Sequence, residues 1–203
     1  MFIILLIINI YQKIKGEEMT KQTHESGGFL IATITIYLII IKNLSNYLLI
    51  YQLLLTILYF HSTNIGALFP DIDLKSSYAS KRYPLMANTL GRKCRHRGFT
   101  HSLLSLIIIY TACVFFIFIS DWNIVIEVLC YGFWFGYASH IFLDLFTHQG
   151  VELLFPLKLK IKIFNLKTSS IGEKIFNKIL KVLSLSLLIY YTYKVSNYLL
   201  MRL

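Results

Sequence analysis

The sequence predicts an all-α protein: a polytopic membrane bundle of four to five transmembrane helices, with a metal site at their cytoplasmic ends. Three observations carry this reading. The chain is 56% hydrophobic and only 15% charged, with a mean hydropathy of +0.63, whereas about 25% charged residues is usual for a soluble domain. Its apolar residues gather into runs long enough to cross a bilayer. Its cations stand in polar stretches between those runs, and its His and Asp residues cluster at one side of the resulting topology.

Residues 1–18 stand apart. Met1 to Ile10 is apolar and Lys13 to Glu18 is polar. The segment reads either as a signal sequence, although it has no basic start and no small-residue cleavage site, or as an upstream extension with translation beginning at Met19. The codons for Lys15, Gly16 and Glu17 can spell a purine-rich ribosome-binding sequence just before that Met.

Four apolar segments follow, roughly Phe29 to Ile41, Tyr47 to Phe60, Ser102 to Ile119 and Ile124 to Phe146. A fifth, more amphipathic, runs from about Ile175 to Leu200. A spanning helix needs about 20 residues, so the third and fourth qualify alone. The first two are individually short, and are read with the first beginning near Gly28 and the second continuing through Asn64 and Gly66. They then form a helical hairpin turned at Lys42 to Asn46, and segments three and four form another turned at Ser120 to Asn123.

The net charge of +10 would suit nucleic acid if it formed a soluble patch. Here it flanks apolar runs, so no nucleic-acid partner is expected. One basic loop, Asp71 to Arg97, carries Lys75, Lys81, Arg82, Arg92, Lys93, Arg95 and Arg97. The other, after Phe155, carries Lys158, Lys160, Lys162, Lys167, Lys174 and Lys178. Cytoplasmic loops are rich in Lys and Arg, which puts both loops and residues 20–28 on the cytoplasmic side. Cys94, Cys113 and Cys130 show no CxxC spacing, so neither a disulfide framework nor a thiolate zinc site is expected.

On that topology, four polar pieces reach the same membrane face: Thr23-His24, Pro70-Asp71-Ile72-Asp73, His96 to Ser102, and His140 to Asp144. His140 and Asp144 are four apart, hence neighbours on one helix face, and imidazole with carboxylate suits zinc or a harder divalent ion. The plainer reading is a hydrogen-bonded pair in an apolar helix, but an Asp there costs about 2.5–3.5 kcal/mol and usually has a partner and a role. If Pro70 ends its helix and the next residues are extended, Asp71 and Asp73 project to one side. They would bridge a metal, or leave one carboxylate free as general base; alone they would read as a solvated turn. Thr100 can cap helix three, which puts His101 in the first turn, where the positive helix end keeps the ring neutral. His96, Arg95 and Arg97 could hold an anionic substrate, although for the two arginines lipid phosphates are the simpler expectation. His24 alone would read as a capping or surface residue, and its position makes it a candidate ligand. His61 and His148 fit no spacing. Asp121 and Glu127 fall at the opposite end of helix four.

At these residues the chain resembles the YdjM family, described as LexA-regulated, inner-membrane-associated, metal-dependent hydrolases. The stretches that carry the resemblance are Met19-Thr20 with Thr23-His24 and Gly28, Leu68 to Asp73, His96 to Leu103, Gly136 to Asp144, Thr147, Gly150-Val151 and Leu154-Phe155-Pro156. In order and content they cover residues 19–156, leaving 157–203 as a basic loop and C-terminal helix. The resemblance implies His24, Asp71, Asp73, His101, His140 and Asp144 as metal-site residues, with Asp73 and His96 as catalytic groups. It also implies a divalent cofactor, zinc for preference and one to three ions, in a multi-pass protein of a bacterial inner membrane. His148 stands where relatives often carry Pro. A remoter similarity to the zinc-dependent bacterial phospholipases C suggests phosphoester chemistry by analogy, and hence membrane lipids as partners and a lipid or lipid-linked phosphoester as substrate.

Overall fold

The computed structural model describes residues 19–36, 47–91 and 95–200. Five long helices make the body: α1 (Lys21–Ile36), α2 (Leu49–Leu68), α3 (Leu103–Ile119), α4 (Ile124–Asp144) and α5 (Ile171–Leu200). The expected turn at Lys42 to Asn46, the extension 1–18 and Cys94 lie outside the described residues.

Among the described residues, three stretches are long and apolar enough to cross a membrane: Leu49–Asp73, Ile124–Asp144 and Ile171–Lys194. The chain is thus an all-helical membrane protein. Segment three, expected to span alone, forms a helix of 17 residues, which at 1.5 Å per residue is about 25 Å long against a hydrocarbon core of about 30 Å. The amphipathic fifth segment instead qualifies by length.

The largest interface joins α2 to α4, and small residues make it possible. A Cβ added at Gly136 would lie 2.0 Å from the Thr63 carbonyl oxygen, one at Gly66 2.1 Å from that of Phe133, and one at Gly132 2.9 Å from that of Tyr59. With no hydrophobic drive between helices in lipid, close backbone approach of this small-xxx-small kind supplies the packing. Ser62 Oγ adds a bond to the Leu129 carbonyl at 2.6 Å. Leu55, Tyr59, Val128 and Ala32 fill one core cluster.

α5 is fastened to the start of α1. The buried Glu173 accepts from Thr20 N (2.6 Å), Thr20 Oγ1 (2.9 Å) and Thr23 Oγ1 (2.8 Å). Ser26 donates to Asn177 Oδ1 at 2.6 Å, and Met19, Leu143 and Leu180 close an apolar cluster alongside.

Candidate metal centre

Each polar residue reaches the site through a local feature. Gly136 lets α4 lie against α2, and one turn further His140 Nδ1 meets the Ala67 carbonyl at 2.7 Å. Pro70 occupies the start of a 3-10 turn, Phe69–Asp73, a position where its missing N–H costs nothing. The expectation of an extended Asp-Ile-Asp is therefore corrected. In this 3-10 turn the two carboxylates take different partners, Asp71 facing His101 and His140 at Nε2, and Asp73 bonding His96 and Thr100.

The capping expectation also changes. Ser102, not Thr100, caps α3, accepting from Ser105 N at 3.2 Å. His101 lies in a preceding 3-10 turn, Phe99–His101. Thr100 is thereby released to donate to Asp73 Oδ2 at 2.6 Å while lying 2.9 Å from His101 Nδ1.

These bonds settle the ring tautomers. Thr100 has one proton and gives it to Asp73, so His101 Nδ1 is the donor to Thr100 Oγ1. His140 Nδ1 donates to the Ala67 carbonyl. In the neutral rings that metal ligation requires, both Nε2 atoms are lone pairs, and they lie 3.2 Å apart. Asp71 Oδ1 lies 3.4 Å from His101 Nε2 and 3.3 Å from His140 Nε2, and Asp144 Oδ2 lies 3.4 and 3.8 Å from the same two atoms. Each carboxylate oxygen thus faces both imidazole nitrogens, and acceptors so placed repel unless a proton or a cation lies between them. With metal–ligand bonds of about 2.0–2.2 Å, a tetrahedral zinc site has ligand–ligand edges of about 3.3–3.6 Å, close to the five distances above. His101, His140 and Asp144 are fully buried, while Asp71 keeps 18% of its side chain exposed.

His24 stacks on His140, ring centroids 3.7 Å apart and planes within 8°, and its Nε2 lies 3.6 Å from Asp144 Oδ1. It precedes the apolar run that starts at Phe29. Burial, and then the neighbouring His140, bring its imidazole down to about 3, which leaves the neutral ring that can ligate. Among the described residues, three groups of side chains have the spacing to hold an ion: His24, Asp71 and His140; His101, His140 and Asp144; and Asp71, Asp73 and His96. In the last, Asp73 is strongly committed, accepting from His96 Nδ1 (2.8 Å), Thr100 Oγ1 and the Arg97 backbone N–H (3.3 Å).

Arg97 departs from expectation. Rather than facing lipid phosphates it is buried, with φ +62°. It donates to Thr147 Oγ1 (2.9 Å) and the Gly150 carbonyl (3.3 Å), with Nη2 3.5 Å from Asp144 Oδ1. It braces the carboxylate from behind. Arg95 is exposed and lies 3.5 Å from the buried Glu152. His61 lines a separate cleft with Arg82 and Tyr83, and His148 pairs with Asn165, so both lie outside the cluster. Glu127 opens α4 and Asp121 sits in the turn before it, at the other end of that helix. Glu152 and Glu173 were not singled out by sequence reasoning, which offered Thr100 only as a helix cap and Arg97 only as a substrate- or lipid-facing cation. Spacing gives no sign of them, and only an Arg or Glu beside apolar runs could have drawn attention.

A helical bundle with membrane-length helices and a buried His/Asp cluster at one end of α4 defines a class, the helical membrane protein with a candidate divalent-metal centre. Within it, the family described as YdjM inner membrane protein matches residues 19–201, and the chain belongs to that family. The match continues through the C-terminal helix, past residue 156 where the recognised motifs end. The chain is 30% identical over 158 residues to an uncharacterised Bacillus subtilis (strain 168) protein, YvsG, covering 77% of this chain and 86% of that one. It is 34% identical over 103 residues to the inner membrane protein YdjM of Escherichia coli (strain K12), half of this chain and 51% of the relative, and equally to that of Shigella flexneri. The match thus spans about half the length of those two proteins. No solved structure matches.

Proposed function

We propose that this protein is a hydrolase of a bacterial inner membrane that cleaves an ester or phosphoester of a lipid or lipid-linked substrate, with a divalent-metal centre on the cytoplasmic side and four to five spanning helices. The observation that carries the reading is that the carboxylates of Asp71 and Asp144 each lie 3.3–3.8 Å from both His101 Nε2 and His140 Nε2, which are 3.2 Å apart. His24 supports a further ion. Bound there, zinc or a similar ion supplies Lewis-acid activation of water and of the scissile oxygen.

The chain's own residues divide the remaining work. Asp73 and His96, joined at 2.8 Å, form the pair placed to take and return a proton. Asp73, its side chain fully buried, also borders a cleft of ≈ 290 Å³ with Lys75, Ser80 and Asn88, the place proposed for a polar headgroup. Arg97 holds the Asp144 carboxylate in place.

A second reading, a non-catalytic membrane protein with a structural metal, is favoured by the near-complete burial of three of the four converging side chains, since structural zinc sites are closed. The test is metal content by mass spectrometry on detergent-purified protein, beside the His140→Ala/Asp144→Ala variant, followed by hydrolysis assays on phospholipid and lipid-phosphate substrates. Metal that is lost in the variant together with hydrolytic activity upholds the proposal. Metal without activity on any such substrate leaves the structural reading, and a wild type that takes up no divalent ion on reconstitution refutes both.

A further inference from the structure

We propose that the connection from Leu157 to Phe164 is an interfacial strip that binds anionic phospholipid headgroups at the membrane surface bordering the metal cluster. This rests on observations independent of the hydrolase reading.

The first is position. α4 ends at Asp144 and α5 begins at Ile171, and both are membrane-length and apolar, so the chain between them lies at one membrane surface. It is tied down beside Asp144. Ile161 and Val151 exchange backbone hydrogen bonds of 3.0 and 2.9 Å, Ile163 N donates to the Leu145 carbonyl at 2.7 Å, and His148 N to that of Leu166 at 3.0 Å. Phe164 stacks on Phe146, centroids 5.9 Å apart.

The second is pattern. The stretch reads Leu157-Lys158-Leu159-Lys160-Ile161-Lys162-Ile163, and in extended chain alternate side chains point to opposite sides. Lys158, Lys160 and Lys162 are all exposed. Only Ile161 is drawn inward, while Leu157, Leu159, Ile163 and Phe164 are 57–65% exposed. Such a row in water is a liability. At a bilayer surface the apolar row enters the acyl boundary, and the ammonium groups reach phosphate level on their alkyl stems.

The third is charge. Between Glu152 and Glu173 the sequence has four lysines, Lys158, Lys160, Lys162 and Lys167, and no acidic residue. Lys158 and Lys160 have no carboxylate partner among the described residues. Basic groups immediately outside a spanning helix attract anionic lipid, and the apolar row between them favours a lipid surface over a soluble polyanion.

The test titrates the detergent-purified full chain with phosphatidylglycerol or phosphatidylcholine of identical chains and reads affinity by native mass spectrometry. Wild type should bind the anionic lipid at least roughly fivefold more tightly, about the effect of one well-placed lysine, and raising salt from about 0.05 to about 0.5 M should shrink the ratio by screening. Lys158→Ala/Lys160→Ala/Lys162→Ala should bring the ratio close to one, whereas Lys81→Ala/Arg82→Ala, in the other basic loop and outside the Asp73 cleft, should leave it unchanged. Metal content, measured on the same samples, should be the same in wild type and the triple variant. A wild-type ratio near one, a ratio insensitive to salt, or a triple variant that keeps the wild-type ratio overturns the proposal, whatever becomes of the metal.

Discussion

Replacing Gly136 by Ala adds one methyl group at the point where α4 crosses α2, and the structure sets the consequence. The new Cβ would lie 2.0 Å from the Thr63 carbonyl oxygen and 2.8 Å from Ala67 N, both backbone atoms with no rotamer to yield. Restoring ordinary contact near 3.4 Å requires the helices to part by about 1.4 Å. His140 sits one turn along, so its 2.7 Å bond to the Ala67 carbonyl would stretch to about 4 Å, beyond hydrogen-bonding range. Overpacking costs about 1–3 kcal/mol, and a buried carbonyl left without its donor costs a further 1–3 kcal/mol or so. At roughly 2–4 °C per kcal/mol for a chain of this size, melting in detergent should fall by about 5–20 °C. Metal content should fall too, because His140 loses the bond that fixes its tautomer. Gly172→Ala is the control: a Cβ there meets Leu166 Cδ1 at 3.4 Å and Ser170 Oγ at 3.5 Å, and melting should stay level or rise. If Gly136→Ala melts within about 2 °C of wild type and keeps its metal, the crossing does not position the site and this chain of reasoning is wrong.

Asp144→Ala should abolish metal binding and hydrolysis while membrane insertion persists, and full activity in that variant would remove the central claim about the site. Arg97→Ala leaves a buried carboxylate without its cation, at a cost of about 3–5 kcal/mol. The denaturation midpoint of metal-free protein measures it, and an unmoved midpoint would show that Arg97 does not brace Asp144. Glu173→Ala strips the acceptor from Thr20 N, Thr20 Oγ1 and Thr23 Oγ1, at about 1–3 kcal/mol for each donor left unsatisfied. Faster hydrogen exchange at residues 19–24 is the expected sign, and unchanged protection would contradict the clamp. Chelation of metal bound at about 1,000 times its Kd should remove roughly 4 kcal/mol of stability, visible as a lower melting temperature in wild type and as no change in the His140→Ala/Asp144→Ala variant.

How much of this was legible in sequence depended on whether a residue's partner was local. The His140 and Asp144 pair follows from helical periodicity alone, and the convergence of His24, Asp71 and His101 upon it follows once apolar runs and basic loops fix which ends share a face, whereas Asp73 pairs with His96 and Thr100 instead. The conformation of Asp71 to Asp73 did not follow, because Pro70 is as compatible with the first position of a 3-10 turn as with the end of a helix. Nor did the cap, because Thr100 and Ser102 are both competent and the choice turns on Asp73, which competes for the Thr100 hydroxyl from 27 residues away. Arg97 read as a lipid-facing cation because flanking charges usually are. What reverses it is its contact with Thr147 and Gly150, about fifty residues on.

The glycines show the converse. Gly132 and Gly136 are visible in the sequence as a four-residue repeat of the smallest side chain on an otherwise bulky, aromatic helix, and that spacing foretells a close helix partner in lipid. What it leaves open is the partner's register. Register is what the site depends on: with Gly136 against Thr63 and Gly66 against Phe133, Ala67 presents its carbonyl to His140, and the turn that follows α2 delivers Asp71 to the same point. A slide of one helical turn, about 5.4 Å, would separate these groups entirely. The buried acceptors therefore belong with the glycine crossing, because their cost is tolerable only at the one register where imidazoles, carboxylates and Arg97 meet. A cation bound there would stabilise that register in turn, so that metal binding and correct α2–α4 packing should be thermodynamically linked.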